Sequence, residues 1–289
     1  MINKDYKKKI GFQGDFGANQ HLACRTYFPN AQYQPYDRFE DLFTAIESKE
    51  LDLALLPLEN SYSGRVAEIH NLLYKTNLYI VGEYCLDINH NLAVLPGAKM
   101  TDITEIISHP QALMQCSNNI KSLKVKTSAS LNTAIAAKLI KDRQDKSYAT
   151  LCSDLAAKIN GLEVLKEGFQ DNSNNKTIFI TIAREVDFLP VSATQKITTL
   201  LFSVRNIPSA IYKALGGFAT NNINIIKLES YIPGGISAKA EFFISFEGSP
   251  DDIGVKNALD ELGFFSKKIK LLGIYNCFVK RYKKTSIRN

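Results

Sequence analysis

The sequence predicts an α/β protein with largely parallel sheets, followed by a small ferredoxin-like βαββαβ domain. Three observations carry this reading. Short apolar runs alternate with helical patterns through the first two thirds of the chain. A polar stretch over 185–196, holding Pro190 and Ser192-Ala193-Thr194-Gln195, breaks that alternation and reads as an interdomain linker. Beyond it the elements follow a shorter, different order. At 289 residues the chain has room for two domains, since one domain takes roughly 100–200 residues.

The elements follow in order. Ile10–Gln13 is an apolar run of strand length, and Ala18–Tyr27 a helix with Leu22, Ala23 and Thr26 on one side. Phe39, Leu42, Phe43 and Ile46 recur at helical spacing; Leu51–Pro57 is a near-continuous apolar run, as a strand buried on both faces requires. Val66, Ile69, Leu72 and Leu73 mark a helix and Leu78–Val81 a strand. The alternation continues with a strand at Ile106–Ser108, a helix at His109–Asn118, a strand at Lys124–Lys126 and a helix at Thr133–Ile140. Tyr148–Cys152 is a strand, Asp154–Ile159 a helix capped by Ser153, and Thr177–Ala183 a strand. After the linker, Ile197–Val204 is a strand, and Pro208 opens a helix bearing Ile211, Leu215 and Phe218. Ile223–Tyr231 and Ala238–Phe246 are strands joined by a turn at Pro233-Gly234-Gly235; Asp251–Leu262 is a helix and Lys270–Tyr275 the last strand.

Composition narrows the function classes. The net charge of +6 is mild. Much of it lies in terminal runs such as Lys7-Lys8-Lys9 and Lys283-Lys284, which read as solvated tails without a nucleic-acid recognition motif. No stretch of about 18 apolar residues suggests a membrane span, and Ile10-Gly11-Phe12-Gln13-Gly14 is too short for the apolar core of an export signal. Five scattered cysteines lack metal-ligand spacing and point to reduced thiols in a cytoplasmic protein.

Polar residues gather where strands end, and strand ends open into the cleft of α/β sheets. Glu59-Asn60-Ser61, with Gly64 and Arg65, follows the strand at Leu51–Pro57. Ser108-His109-Pro110-Gln111 joins a strand to a helix, Ser128–Thr133 precedes another helix, and Asn174–Thr177 leads into a strand. Unpaired N–H groups at helix N-termini favour anions, so several such openings on one cleft suit a small carboxylate.

Taken as a set, these segments resemble the prephenate dehydratase family over roughly Ile10–Gly273. The resemblance rests on Phe12-Gln13-Gly14-Asp15-Phe16-Gly17-Ala18, on Pro57-Leu58-Glu59-Asn60-Ser61 with Gly64, and on Ser108-His109-Pro110-Gln111-Ala112-Leu113 with Gln115-Cys116. Thr133-Ala134, Ala156-Ala157, Gly161-Leu162, and Gln170-Asp171 with Asn175, Thr177 and Phe179 continue the match. It implies two α/β lobes like a periplasmic solute-binding protein, with the active site between them. The first lobe would be 8–83 plus 170–184 and the second 84–169, together forming a catalytic domain over 8–184. The implied reaction removes carbon dioxide and water from prephenate to give phenylpyruvate, needs no cofactor or metal, and serves phenylalanine biosynthesis.

On this resemblance Thr177 is the hydrogen-bond donor to the departing hydroxyl. Asn60, Ser61, Gln111, Thr133 and Asn175 hold the substrate, Glu59 orients these donors, and His109 and His21 are the nearby groups that titrate near neutral pH. Ser108, Gly64, Arg65, Lys176 and Phe179 complete the expected site. The chain departs from the family at Ile178, where an arginine is usual; losing such a contact typically removes about 1.5–3 kcal/mol. Lys176 or Arg65 could replace the charge, or the enzyme could be weakened to a silent sensing homologue. Gln20 also stands where relatives more often carry serine.

The C-terminal unit, over 197–280, resembles an ACT domain. Asn206-Ile207-Pro208-Ser209-Ala210-Ile211 and Leu228-Glu229-Ser230 are similar to the segments that take phenylalanine in that family, with Ser209 replacing a glycine. The resemblance implies feedback by L-phenylalanine and a homodimer or homotetramer. Arogenate dehydratase, acting on the amine in place of the ketone, is the alternative within the same chemistry.

Overall fold

The computed structural model describes residues 8–186, 196–231 and 241–276. Residues 187–195 of the expected linker, the turn at Pro233-Gly234-Gly235, and the basic terminal runs before Lys8 and after Asn276 lie outside the described residues. The chain divides into two compact units, Met1–Val66 with Cys85–Phe179, and Ala67–Tyr84 with Ile180–Asn289.

The elements are β1 (Lys9–Gln13), α1 (Asn19–Tyr27), β2 (Gln32–Tyr36), α2 (Phe39–Glu47), β3 (Leu53–Asn60), β4 (Gly64–Arg65), α3 (Ala67–Lys75) and β5 (Tyr79–Asp87). Then come β6 (Asn91–Val94), β7 (Glu105–Ser108), α4 (Pro110–Gln115), α5 (Ser117–Leu123), β8 (Lys126–Ala129), α6 (Thr133–Arg143) and β9 (Tyr148–Cys152). They are followed by α7 (Asp154–Asn160), β10 (Glu163–Lys166), β11 (Lys176–Ala183), β12 (Lys196–Val204), α8 (Ala210–Thr220), β13 (Ile225–Tyr231), β14 (Glu241–Glu247), α9 (Ile253–Phe265) and β15 (Ser266–Asn276).

Strands β1 to β11 form two sheets. One has the order β2-β1-β3-β11-β5, with β4 paired to β3; β1 runs parallel to β2 and to β3. The other has the order β10-β6-β9-β7-β8. Here β7 is parallel to β8 and β9, whereas β6 is antiparallel to β9 and β10. The sheets are therefore mixed, and the expectation of largely parallel sheets fails at β6 and β10. Both are four residues long, too short to announce themselves by pattern.

Alternate residues of the second sheet feed two cores, because successive strand side chains point to opposite faces. Leu92, Val94, Ile106 and Leu151 pack on one face, and Ala93, Ile107 and Cys152 on the other. This two-sided burial is why the strands read as continuous apolar runs. Each fully buried aliphatic side chain contributes about 1.5–3 kcal/mol.

Several boundaries differ from expectation for visible reasons. The helix expected over 109–118 is broken at Cys116, because Asp171 accepts from Asn118 N and Asn119 N and so starts α5 afresh. The strand expected at Lys124 begins at Lys126, since Lys124 is left-handed (φ 56°) and ends α5. β2, with sequence Gln-Tyr-Gln-Pro-Tyr, is an edge strand, where a proline without an N–H is tolerated. β5 runs to Asp87, so the chain leaves the first sheet at 88–90 rather than near Glu83, and returns over 167–175.

In the second unit the order is β12-α8-β13-β14-α9-β15, with an antiparallel sheet arranged β13-β14-β12-β15. This is the expected ferredoxin-like arrangement. Leu200, Phe202, Ile244 and Phe246 pack against Phe218 of α8 and Val255, Ala258 and Leu262 of α9. Phe243 has the opposite strand parity and meets the His70 ring of α3, with centroids 5.2 Å apart. Lys270 Nζ donates to the carbonyl oxygens of Leu73, Tyr74 and Thr76. Helix α8 begins at Ala210, two residues later than Pro208, because Ser209 adopts a left-handed conformation (φ 59°). Among the described residues no helix is long and apolar enough to cross a membrane.

Candidate active site

A cavity of about 390 Å³ opens in the first unit, bounded by loops from both of its sheets. That volume falls in the range of small-molecule sites. Asn60, His109, Gln111, Thr133, Asn175, Thr177 and Phe179 all line it, although they are spread over almost 120 positions of the chain.

Asn60 organises the floor. It ends β3, and its Oδ1 accepts from the backbone N–H groups of Tyr62 and Ser63 and from Ser63 Oγ. A backbone N–H can only donate, so the amide orientation is fixed and Nδ2 must face β11. There it donates to Asn175 Oδ1 at 2.8 Å and to Thr177 Oγ1 at 2.9 Å. Thr177 therefore receives a hydrogen on its oxygen and keeps its own proton for another acceptor. Asn175 and Thr177 are 2 % and 7 % exposed, which strengthens these bonds by excluding water.

His109 is the N-cap of α4, with Nδ1 accepting from Gln111 N at 3.2 Å. It is thus both a cap and a cavity residue. Thr133 is the first residue of α6, whose N-cap Asn132 accepts from Ile135 N and donates to Asp15 Oδ2. Gln20 accepts from Gln13 N and donates to Gln13 Oε1, so the departure at Gln20 locks a second cavity glutamine. The residues lining the cavity include no Lys, Arg, Asp or Glu. Its polarity comes from amides, hydroxyls, imidazoles and the N-termini of α1 and α6.

Other expected site residues are not in that lining. Ser61 clips β3 to β11: its N–H donates to Lys176 O, its Oγ donates to Asn174 O and accepts from Lys176 N. Ser108 is wholly buried and donates to Leu151 O. Glu59 and Arg65 face one another in the β3–β4 register, and Gly64 occupies the left-handed turn position beside them (φ 72°). Lys176 Nζ pairs with Asp87 at 2.7 Å. Lys176 and Ile178 have the strand parity opposite to Thr177 and Phe179, so Lys176 does not supply a cation to the cavity. His21 does not line the cavity either. Its Nδ1 accepts from Gly17 N, its ring stacks on Phe12, and burial lowers its pKa to about 4, with Arg25 adding to the effect.

Gln13, Gln115 and Asn132, which lie in segments the sequence singles out but to which it assigns no site role, also line the cavity, as do Ser63 and His90. The sequence signal for His90 is the polar triplet Asn89-His90-Asn91 leading into β6, a strand of four residues that is too short to show a pattern.

In the second unit Asn206, Pro208 and Ser209 are exposed, Ala210 is buried and Ile211 half-buried. Leu228 and Ser230 are exposed on β13. Glu229 points the other way, 3.1 Å from His70 Nε2 and 3.1 Å from Lys227 Nζ. The His70 contact foremost, with Lys227 assisting, lowers its pKa to about 2. The expectation that Glu229 receives an effector ammonium thus meets a carboxylate already engaged by His70 and Lys227. No cluster suited to a metal ion occurs among the described residues.

Comparison with known proteins gives this geometry a context. Residues 10–187 match the family model of prephenate dehydratase. A bifunctional N-acyl-homoserine lactone acylase/prephenate dehydratase of Komagataeibacter europaeus is 39% identical, over 92% of this chain and 95% of that protein. Arogenate dehydratase/prephenate dehydratase 1 of Arabidopsis thaliana is 36% identical, over 94% of this chain and 72% of its own. Among solved structures, prephenate dehydratase of Arthrobacter aurescens in complex with L-Phe superposes with a TM-score of 0.84 at 26% identity, covering 93% of this chain and 90% of that one.

Proposed function

Because the chain belongs to the prephenate dehydratase family, we propose that it converts prephenate to phenylpyruvate. In this reaction the bond between the ring and its carboxylate breaks, and the electron pair moves through the diene. The ring hydroxyl leaves at the far carbon and takes up a proton, so that carbon dioxide and water depart as the ring becomes aromatic. The chain's task is to protonate or hydrogen-bond the leaving oxygen and to hold two carboxylates.

The observation that carries this reading is the bond from Asn60 Nδ2 to Thr177 Oγ1. It leaves the threonine O–H free to donate into the cavity at a leaving oxygen. Such oriented donors stabilise charge as it develops and are already in place before reaction. Gln111, Thr133 and Asn175 supply further polar contacts, and the N-termini of α1 and α6 suit the carboxylates. Glu59, Ser61, Ser108, Gly64, Arg65 and Lys176 act from behind, by holding the loops. Following phenylpyruvate absorbance with purified protein tests the proposal; an inert wild type with both prephenate and arogenate would sink it.

Arogenate remains a second substrate reading, favoured by the 35–36% identity to proteins named arogenate dehydratases; a paired assay separates the two. We further propose catalytic and regulatory domains bounded near 8–184 and 197–280, with the second, an ACT domain, binding L-phenylalanine around Asn206–Ile211 and Leu228–Ser230. The phenylalanine complex of the Arthrobacter protein supports that assignment. Pairing of copies through β13, an edge strand of its sheet, supports an even-numbered oligomer. The free thiols of Cys24, Cys116 and Cys152, all buried, suit the reducing cytoplasm.

A further inference from the structure

His90 sits where the chain passes from β5 to β6, and the returning segment at Phe169–Gln170 grips it. Its N–H donates to Gln170 Oε1 at 2.9 Å, and its carbonyl accepts from Phe169 N at 2.6 Å. The residue is 5 % exposed, yet it borders the cavity. Its ring Nε2 lies 2.8 Å from Gln115 Oε1, and that same oxygen accepts from Asn175 Nδ2 at 2.8 Å.

The proton positions along this chain follow from its anchored end. Tyr62 N and Ser63 N fix Asn60 Oδ1. Asn60 Nδ2 then fixes Asn175 Oδ1, which turns Asn175 Nδ2 toward Gln115 Oε1. Gln115 therefore presents an oxygen to His90, and His90 must carry hydrogen on Nε2. Burial, the largest influence on the ring, lowers its pKa; the Gln115 bond opposes this and nearby His109 assists it. The ring is accordingly neutral at neutral pH and held as a single tautomer.

We propose that His90 is a positioning residue for the dehydration: its Nε2–H holds the Gln115 side-chain oxygen toward Asn175, so that both cavity amides keep one orientation beside the anchored Asn60–Thr177 pair. The proposal rests on the dehydratase reading above. Asn60 is anchored by its own backbone donors, whereas the Gln115 side-chain oxygen is held by Asn175 and His90, and a flip at Gln115 would offer Asn175 a donor where it needs an acceptor. A neutral imidazole with its proton on Nε2 is the group that forbids that flip.

The test uses the full-length protein with two variants at His90 and one at Gln115. His90→Leu keeps comparable bulk but removes the donor; His90→Gln can restore an N–H near the same point. Gln115→Leu cuts the chain one link nearer Thr177. His90→Leu and Gln115→Leu are expected to lower kcat by roughly ten- to a hundredfold, the scale of a small misplacement of a reacting group, with KM within about twofold of wild type. His90→Gln is expected to recover most of that loss. In wild type, nitrogen-15 NMR is expected to show the His90 ring neutral with its proton on Nε2. An unchanged kcat in both leucine variants overturns the proposal, as does an equal loss in His90→Leu and His90→Gln, or a ring protonated on Nδ1. A wild type inert on prephenate and arogenate removes the dehydratase reading and the role of His90 with it, whereas an active wild type with a dispensable His90 removes only the latter.

Discussion

Asn60 illustrates how a single side chain sets the chemistry of its neighbour. Three donors hold its oxygen, so its nitrogen must face Thr177, and the threonine proton is left for another acceptor. Thr177→Ala should lower kcat by about 10²–10⁴-fold, the usual contribution of a positioned proton donor, with a near-normal unfolding midpoint. Thr177→Ser should recover much of the loss, and steady-state kinetics on the pair decides. Ile178→Arg should fold and turn over within roughly threefold of wild type, because the position has the strand parity opposite to the cavity residues and is not fully buried. His21 gives a stability prediction. Its folded pKa of about 4 lies below the ordinary value near 6.5, so the unfolded chain binds a proton that the folded chain does not. Stability should therefore fall as pH drops from 6.5 to about 4. Urea midpoints measured across this window should vary less in His21→Gln, which retains an acceptor but does not titrate.

At the scale of elements, two glycines show what close approach demands. Gly17 has φ +99°, and a Cβ there would lie 2.8 Å from Ala156 Cα at the start of α7. The same turn is held by Ser153 Oγ, which donates to Gly17 O while accepting from Ala156 N. Gly273 on β15 lets Ile80 approach so closely that a Cβ would overlap the Ile80 carbonyl. Gly273→Ala should cost about 1–3 kcal/mol, the range for overpacking, or more if the backbone cannot shift. Thermal melts of Gly273→Ala beside Gly263→Ala, whose Cβ would meet nothing within 4 Å, provide the contrast.

At the scale of the whole molecule, β5 and β11 each belong to both units, the division falling after Tyr84 and after Phe179. The chain also runs from the Asn60–Ser63 turn into α3 within a few residues, and α3 is held by Glu229 through His70. The Glu229 carboxyl titrates at about 2 when folded against an ordinary 4.5. Its contribution to stability is present above pH 4.5 and lost as pH falls toward 2. Glu229→Gln should flatten the acid-unfolding profile in that window. It should also shift the phenylalanine inhibition curve, and equal inhibition of wild type and variant would detach Glu229 from regulation.

The sequence by itself determined the order of most elements, the α/β class of the first part and the βαββαβ order of the second. Apolar periodicity reports burial, and burial dominates there: Tyr148–Cys152 has the bounds its pattern predicts, and Ser153 caps α7 as expected. Polar residues at strand ends and helix starts likewise marked Asn60, Gln111, Thr133, Asn175 and Thr177. Only the tertiary structure decided the rest. Edge and antiparallel strands such as β2, β6 and β10 are short or polar, and pairing partners distant in the chain stabilise them. Whether a polar residue faces the cavity or the scaffold depends on strand parity and on partners up to 117 positions away, as between Asn60 and Thr177. Ser108 and Lys176 carry suitable chemistry, yet the bonds they make to Leu151 and Asp87 take them out of the cavity. His90 enters it for the converse reason: its neighbours in space, not its neighbours in sequence, supply the hydrogen-bond chain that gives it a role.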